Sequence, residues 1–183
     1  MTRDQALKLV KEKIKTPNLI NHCLAVEAVM KALAKTFNKD EEKWSLAGLL
    51  HDIDYEETKD NPKKHSLKGA QILKELGVDE DIVQAVKAHN EVHGLPRKTK
   101  IDKALYCADP ITGLIVAATL VLPDKKLKSL KTKSVLKRFK EKSFAKGANR
   151  QAIASCQELG LSLEDFVKIS LKSMQNISNK IGL

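Results

Sequence analysis

From Trp44 to Leu50 no residue carries a charge, and the run Leu46-Ala47-Gly48-Leu49-Leu50 ends abruptly in His51-Asp52-Ile53-Asp54. Apolar side chains all around such a segment suit a helix inside a core rather than one lying on a surface. A carboxylate at the end of a buried helix loses its hydration, at a cost of several kcal/mol on the order of a desolvated ion. Only paired charge, hydrogen bonds or a metal offsets that cost. His51 and Asp52 therefore require partners delivered by other parts of the chain, and those partners limit how the chain can fold.

The remaining segments read as helices. Leu7, Val10 and Ile14 share one face of Thr2 to Ile14, the 3.6-residue spacing of an amphipathic helix. Thr16-Pro17 reads as an N-cap and first helical residue, followed by an inward face of Val26, Val29, Met30, Leu33 and Phe37 that also carries His22. Ile53 to Pro62 reads as an acidic loop, and His65 as the opening of a helix that stops at Gly77. Asp79 caps the next helix, which reaches His89 near its end. The loop Glu91 to Lys100 contains Gly94 and Pro96, and His93 in it reads as facing solvent. An apolar helix from Asp102 to Leu122 follows, with Asp109 inside it and Pro110 expected to kink or restart it. Helices at Ser134 to Phe144 and about Asn149 to Leu159 precede a last one opened by the capping box at Ser162. No alternating strand pattern and no internal repeat interrupts this series, so the fold class expected is all-α.

Residues 1–183 are expected to form one domain, with a core of about 18–122 and a basic helical extension of about 123–183. Ala104 to Leu122 approaches membrane-spanning length, but Asp109, Pro110 and Gly113 within it favour a buried core helix, so no membrane partner is expected. Cys23, Cys107 and Cys156 are odd in number and lack Cys-x-x-Cys spacing, and Met1 to Lys15 lacks the apolar core and cleavage site of a signal peptide. A reducing, cytoplasmic setting is the expectation.

The net charge of +10 is uneven: Lys125 to Arg150 holds eleven Lys or Arg against a single acid, Glu141, and the rest of the chain is balanced. Such a concentration points to an anionic partner.

His22, His51-Asp52 and Asp109 lie on the inward faces of three separate apolar helices. Two imidazoles and two carboxylates brought to one point suit a divalent transition metal, Mn, Fe, Co, Ni or Zn, where an all-oxygen set would suit Mg or Ca. These four residues, with their separations, resemble the signature of the HD superfamily of metal-dependent phosphohydrolases over roughly Asn18 to Leu122. The Asp109-Pro110-Ile111-Thr112-Gly113-Leu114 stretch and the Ser134 to Arg150 tail are similar to a branch of predicted hydrolases in that superfamily.

The resemblance implies an HD-type helical bundle in which His22, His51, Asp52 and Asp109 are metal ligands, Asp52 bridging where a second ion is present. His65 and His89 stand where dinuclear members keep further histidines. Cyclic-dinucleotide phosphodiesterases of the superfamily carry His-His-Glu followed by Gly-Tyr-Pro, whereas this chain reads His89-Asn90-Glu91-Val92-His93-Gly94-Leu95-Pro96. His65 and His89 therefore have two readings, as ligands of a second ion or as groups that hold phosphate or donate a proton. The implied activity is hydrolysis of a phosphate ester, with Asp52, His65 and His89 as the catalytic set and metal-bound water attacking phosphorus. Lys68, Lys137, Arg138, Lys142, Lys146 and Arg150 are the expected phosphate-binding cations. A small phosphorylated substrate, such as a nucleotide, is the first expectation. The alternative is a non-catalytic module with a structural metal and a basic tail that binds nucleic acid.

Overall fold

The computed structural model describes residues 1–183 and contains helices and turns with no strand. Its first helix, α1 (Arg3–Lys13), opens on a reciprocal capping box between Thr2 and Gln5. α2 (Pro17–Thr36) starts at the expected proline, but Thr16 makes no cap bond. The Lys15 amide and the amide and hydroxyl of Thr16 donate instead to the Glu56 carboxylate. Glu56 lies in α4 (Tyr55–Thr58), a single turn within the stretch expected to be loop. Between them, the uncharged run forms α3 (Glu41–Leu50), capped by Asp40, whose carboxylate accepts from Lys43 N at 2.9 Å.

α5 (Leu67–Glu75) and α6 (Glu80–Ala88) form a hairpin through Gly77, whose φ of 68° is the left-handed conformation a helix C-terminus favours in glycine. α5 begins after His65 rather than at it, because Ser66 takes φ 70° and breaks the helical path. α7 (Lys100–Leu120) continues as one helix through Pro110, so no new segment starts there, and it opens at a Thr99 to Asp102 capping box. α8 (Thr132–Lys140), α9 (Arg150–Ala154) and α10 (Leu163–Asn176) complete the chain, α9 continuing as a 3-10 segment, Ser155–Leu159.

By length and composition α7 is the one helix apolar enough to cross a membrane, yet here it is the central strut. Leu105, Ile111, Leu114 and Ile115 are fully buried, and α2, α6, α8, α9 and α10 all pack on it. One contiguous apolar cluster runs from Ala6 to Ile181 and includes Phe166 and Met174 of α10. Truncating a fully buried Leu in such a core costs about 2–5 kcal/mol, so α7 is held firmly enough to fix a side chain projecting from it.

α2 and α3 cross in close contact at Gly48. A Cβ there would lie 2.8 Å from the Val26 carbonyl oxygen and 2.9 Å from Glu27 Cα, both backbone atoms. Only glycine permits the approach, and it brings the middle of α2 against the end of α3.

Candidate metal centre

Each histidine expected at the site is fixed from outside through Nδ1. His51 Nδ1 donates to Gly48 O at 2.9 Å, so the glycine that sets the crossing also orients the ring. His89 Nδ1 donates to Val86 O at 2.6 Å, one turn back on α6. His22 Nδ1 donates to Thr112 Oγ1 at 3.1 Å, and that hydroxyl donates to Asp109 O at 2.8 Å. His65 Nδ1 donates to Asp54 Oδ1 at 3.0 Å. With the proton assigned to Nδ1 in all four rings, each Nε2 presents a lone pair, the tautomer that metal ligation uses.

Those four Nε2 atoms converge on Asp52. Its Oδ1 lies 3.4 Å from His51, 3.4 Å from His65 and 3.5 Å from His89, and its Oδ2 lies 3.7 Å from His22. Asp109 Oδ1 is 3.1 Å from His22 Nε2 and 3.8 Å from His51 Nε2. His22 and His51 face each other Nε2 to Nε2 at 3.2 Å. Two lone pairs so close, with two carboxylates around them, repel unless a cation or a proton lies between. Ligand atoms about 2.0–2.1 Å from a common ion stand roughly 3.0–3.4 Å apart, close to the observed separations. His22, His51 and Asp109 form one potential metal-binding triplet, and His51, Asp52 and His89 a second. The donor set thus fits a divalent transition metal, with Asp52 between two potential positions.

The electrostatics follow from burial and proximity. Burial pushes the His51 imidazole down to about 4, the carboxylates of Asp52 and Asp109 only partly opposing it. Burial also acts to lower His22 and His89, but the hydrogen bond to Asp109 lifts the first, and that to Asp52 the second, above the ordinary 6.5. Burial acts to raise the carboxyl of Asp52, yet His51, His89 and His22 outweigh it and hold the group well below the usual carboxylate range. Asp109 is likewise depressed, chiefly by His22 against the opposing effect of burial.

Asp54 both orients a site residue and caps a helix. Its Oδ2 accepts from Ser66 N at 2.8 Å and from Gly69 N at 2.9 Å at the start of α5, while Oδ1 takes His65. A Cβ at Gly69 would sit 3.2 Å from the Asp54 carboxyl carbon, so glycine leaves room for this cap. The positive φ of Ser66, a cost of about 1–3 kcal/mol, is offset by these bonds and by Ser66 Oγ to Lys87 O at 3.1 Å. His93, expected to face solvent, instead bonds the His65 carbonyl through Nε2 at 2.7 Å, and Asn90 Nδ2 donates to the same carbonyl at 3.1 Å. Both hold the His65 segment from the turn that follows α6.

Access is across Asp109 and His22, whose side chains are 34% and 23% exposed, whereas His51 is fully buried. A cavity of about 230 Å³ lies beside His65, His89 and Asp109, walled by Asn90, Glu91, Tyr106 and Asn149. Glu91 Oε2 accepts from Tyr106 Oη at 3.0 Å and from Asn149 Nδ2 at 2.9 Å, and the Arg97 guanidinium stacks 3.7 Å from the Tyr106 ring centroid. Sequence reasoning missed Glu91, Tyr106 and Asn149. Tyr106 lies three residues before Asp109 on α7, and that spacing, which shares a helix face, was the available signal.

None of the six expected phosphate-binding cations lines this cavity. Lys68 is paired with Glu57. Arg138 bonds Glu141 at 2.6 Å and stacks over Phe144. The Arg150 guanidinium donates to six backbone carbonyls, those of Arg138, Phe139, Glu141, Phe144, Ala145 and Ala148, and so scaffolds the loop between α8 and α9. Its role is structural, because no donor is left for a ligand. Lys137 is exposed, and Lys142 and Lys146 border a separate cleft of about 400 Å³ that shares Asn149 with the cavity.

Comparison with known proteins gives the same direction. The family model described as HD domain matches residues 19–118. Ribonuclease Y of Nitratidesulfovibrio vulgaris (strain DP4) is 36% identical over 96 residues, 52% of this chain but 18% of that protein. An uncharacterized protein of Methanocaldococcus jannaschii is 34% identical over 119 residues, 61% of this chain and 68% of its own length. A tRNA (cytidine(56)-2'-O)-methyltransferase of Thermoplasma volcanium is 31% identical over 140 residues, 73% of this chain and 40% of that protein. The matched stretch is thus a small part of the ribonuclease Y relatives.

Proposed function

The chain belongs to the HD-domain family, and on that premise we propose that it is a metal-dependent phosphohydrolase whose substrate is a nucleotide-class phosphate ester. The observation that carries the reading is the convergence of four Nδ1-anchored imidazoles on Asp52, with the His22 and His51 Nε2 atoms 3.2 Å apart. His22, His51, Asp52 and Asp109 would hold one divalent transition metal, and Asp52, His65 and His89 a second. A bound cation supplies Lewis-acid polarisation of the phosphoryl oxygens and acidifies coordinated water.

The chain's own groups do the rest. Asp52 and Asp109 stay ionised in the presence of neighbouring imidazoles. Asp54 keeps His65 turned inward, and Asn90 with His93 fixes its backbone. Tyr106 and Asn149, tied together by Glu91, offer polar edges to the organic part of a substrate in the adjoining cavity.

A second reading is a nucleic-acid partner, favoured by the basic segment and by the names of the ribonuclease Y and tRNA methyltransferase relatives. Phosphate or alcohol release from a panel of nucleotides and aryl phosphates, with Mn, Co or Ni supplied and Asp52→Ala as control, tests the hydrolase. Turnover lost in the variant supports it. Polynucleotide binding with a steep salt dependence and no turnover supports the binding module instead.

A further inference from the structure

Three openings lie in series along one side of α7. The cavity beside His65 and His89 shares Asp109, Pro110 and Gly147 with a second, of about 300 Å³, beside His22. The second shares His22 and Gly113 with a third, of about 580 Å³, whose apolar wall includes Ala25, Val116, Ala117, Leu120 and Ile181. The metal ligands thus border the middle of a groove open on both sides, where a site for a terminal phosphate needs only one.

Glycines stand at both joints. Gly113 lies inside α7, where glycine costs about 0.5–1 kcal/mol relative to alanine, and Gly147 lies in the loop scaffolded by Arg150. Neither has a left-handed φ, and a Cβ on either would meet nothing within 4 Å. Backbone conformation and packing therefore give no reason for glycine at either place. Clearance for a ligand passing Asp109 and His22 does.

The two ends differ in chemistry. Asn90, Glu91, Tyr106 and Asn149 make the near end polar. At the far end the polar side chains are Asn18, Asn21 and Thr112 beside His22, with no Lys, Arg, Asp or Glu. We infer that the groove receives a phosphodiester across the metal centre, with the cavity beyond Gly113 taking an uncharged, carbon-rich group on the far side of the phosphate from Tyr106. This deepens the hydrolase reading and rests on it for turnover, but not for binding. Hydrolysis would join the water oxygen to phosphorus and break one P–O ester bond. The leaving oxygen takes one water proton to become an alcohol, and the other proton goes to the monoester or to solvent.

The test uses diphenyl phosphate and methyl phenyl phosphate, monoanions that differ only in the second group. Titration calorimetry on the Mn-loaded protein is expected to give at least tenfold tighter binding of diphenyl phosphate. Gly113→Phe, which fills the joint, and Leu120→Glu, which puts a charge at the half-exposed far end, should each remove that preference and leave methyl phenyl phosphate within twofold. Gly113→Ala, which adds only a methyl group to the joint, should weaken it by less than Gly113→Phe does. Equal affinity of the wild type for the two esters, or a preference that survives both variants, overturns the inference. So does equal affinity together with a mass that rises with protein concentration and falls in Leu120→Glu, which assigns the cavity to a second copy of the chain. Preferential binding without phenol release leaves the groove standing and defeats the hydrolase reading, and phenol release without preference does the reverse.

Discussion

Around Asp52 four imidazoles and a second carboxylate are gathered by α2, α3, α6, α7 and the turn before α5, each ring held from behind by its own acceptor. Between Lys125 and Arg150 eleven cations are gathered by sequence alone, and the one guanidinium fully engaged there holds backbone carbonyls. The first region buries charge that the fold must neutralise, and the second leaves most of its charge in water. Desolvated ionic groups carry a cost of several kcal/mol, on the order of a buried ion, whereas a solvated cation is worth roughly 0–1 kcal/mol. Convergence of buried polar groups is thus a far stronger sign of chemistry than an excess of surface charge.

Substitutions should separate the two regions. The largest effect is expected from Asp52→Ala, which removes the group every Nε2 faces: metal content should fall to background by elemental analysis, and turnover with it. Gly48→Ala comes next. Its Cβ would meet the α2 backbone, and a calorimetric melt should show a loss of about 1–3 kcal/mol, the usual cost of overpacking, with weaker metal retention because His22 and His51 are pushed apart.

Asp54→Asn keeps the volume but weakens the acceptor for His65, and metal affinity or turnover should drop about 10–100-fold, as for other groups that orient a ligand. Acidity acts on the same residues. The raised pKa values of His22 and His89 mean that their protonated forms persist above 6.5 and compete with the cation. The metal dissociation constant should therefore fall as pH rises above 6.5, with protons released on binding, and a flat profile over that range would contradict the assignment. In the other region the effect should be small. Lys142→Ala with Lys146→Ala should change small-ester turnover by less than about twofold, since exposed cations contribute little, while lowering the salt sensitivity of any polynucleotide binding.

The fold class was legible because helix periodicity and capping are local: Pro17, Asp79 and Ser162 open helices where the sequence puts them. His22, His51, Asp52 and Asp109 could be grouped because each interrupts an apolar helix face. Residues whose roles depend on contacts between distant segments were not readable. The bond of His93 to the His65 carbonyl spans a loop and a hairpin, and Glu56 capturing Thr16 joins segments with no shared pattern. The basic segment shows the same limit, since sequence counts its charges without showing that Arg150 turns inward to its own loop. Pro110 was read as a kink or restart because a lone helix is weakened there, whereas α7 continues through it, supported by the helices packed around it.

The central claim is that the Nε2 atoms of His22, His51, His65 and His89, with Asp52 and Asp109, form a metal centre. Equilibrium dialysis of chelator-treated protein against Mn or Ni, followed by elemental analysis, addresses it directly. One or two ions per chain in the wild type and none in Asp52→Ala is the predicted result. A wild type that takes up no ion, or a variant that takes up as much, would contradict it.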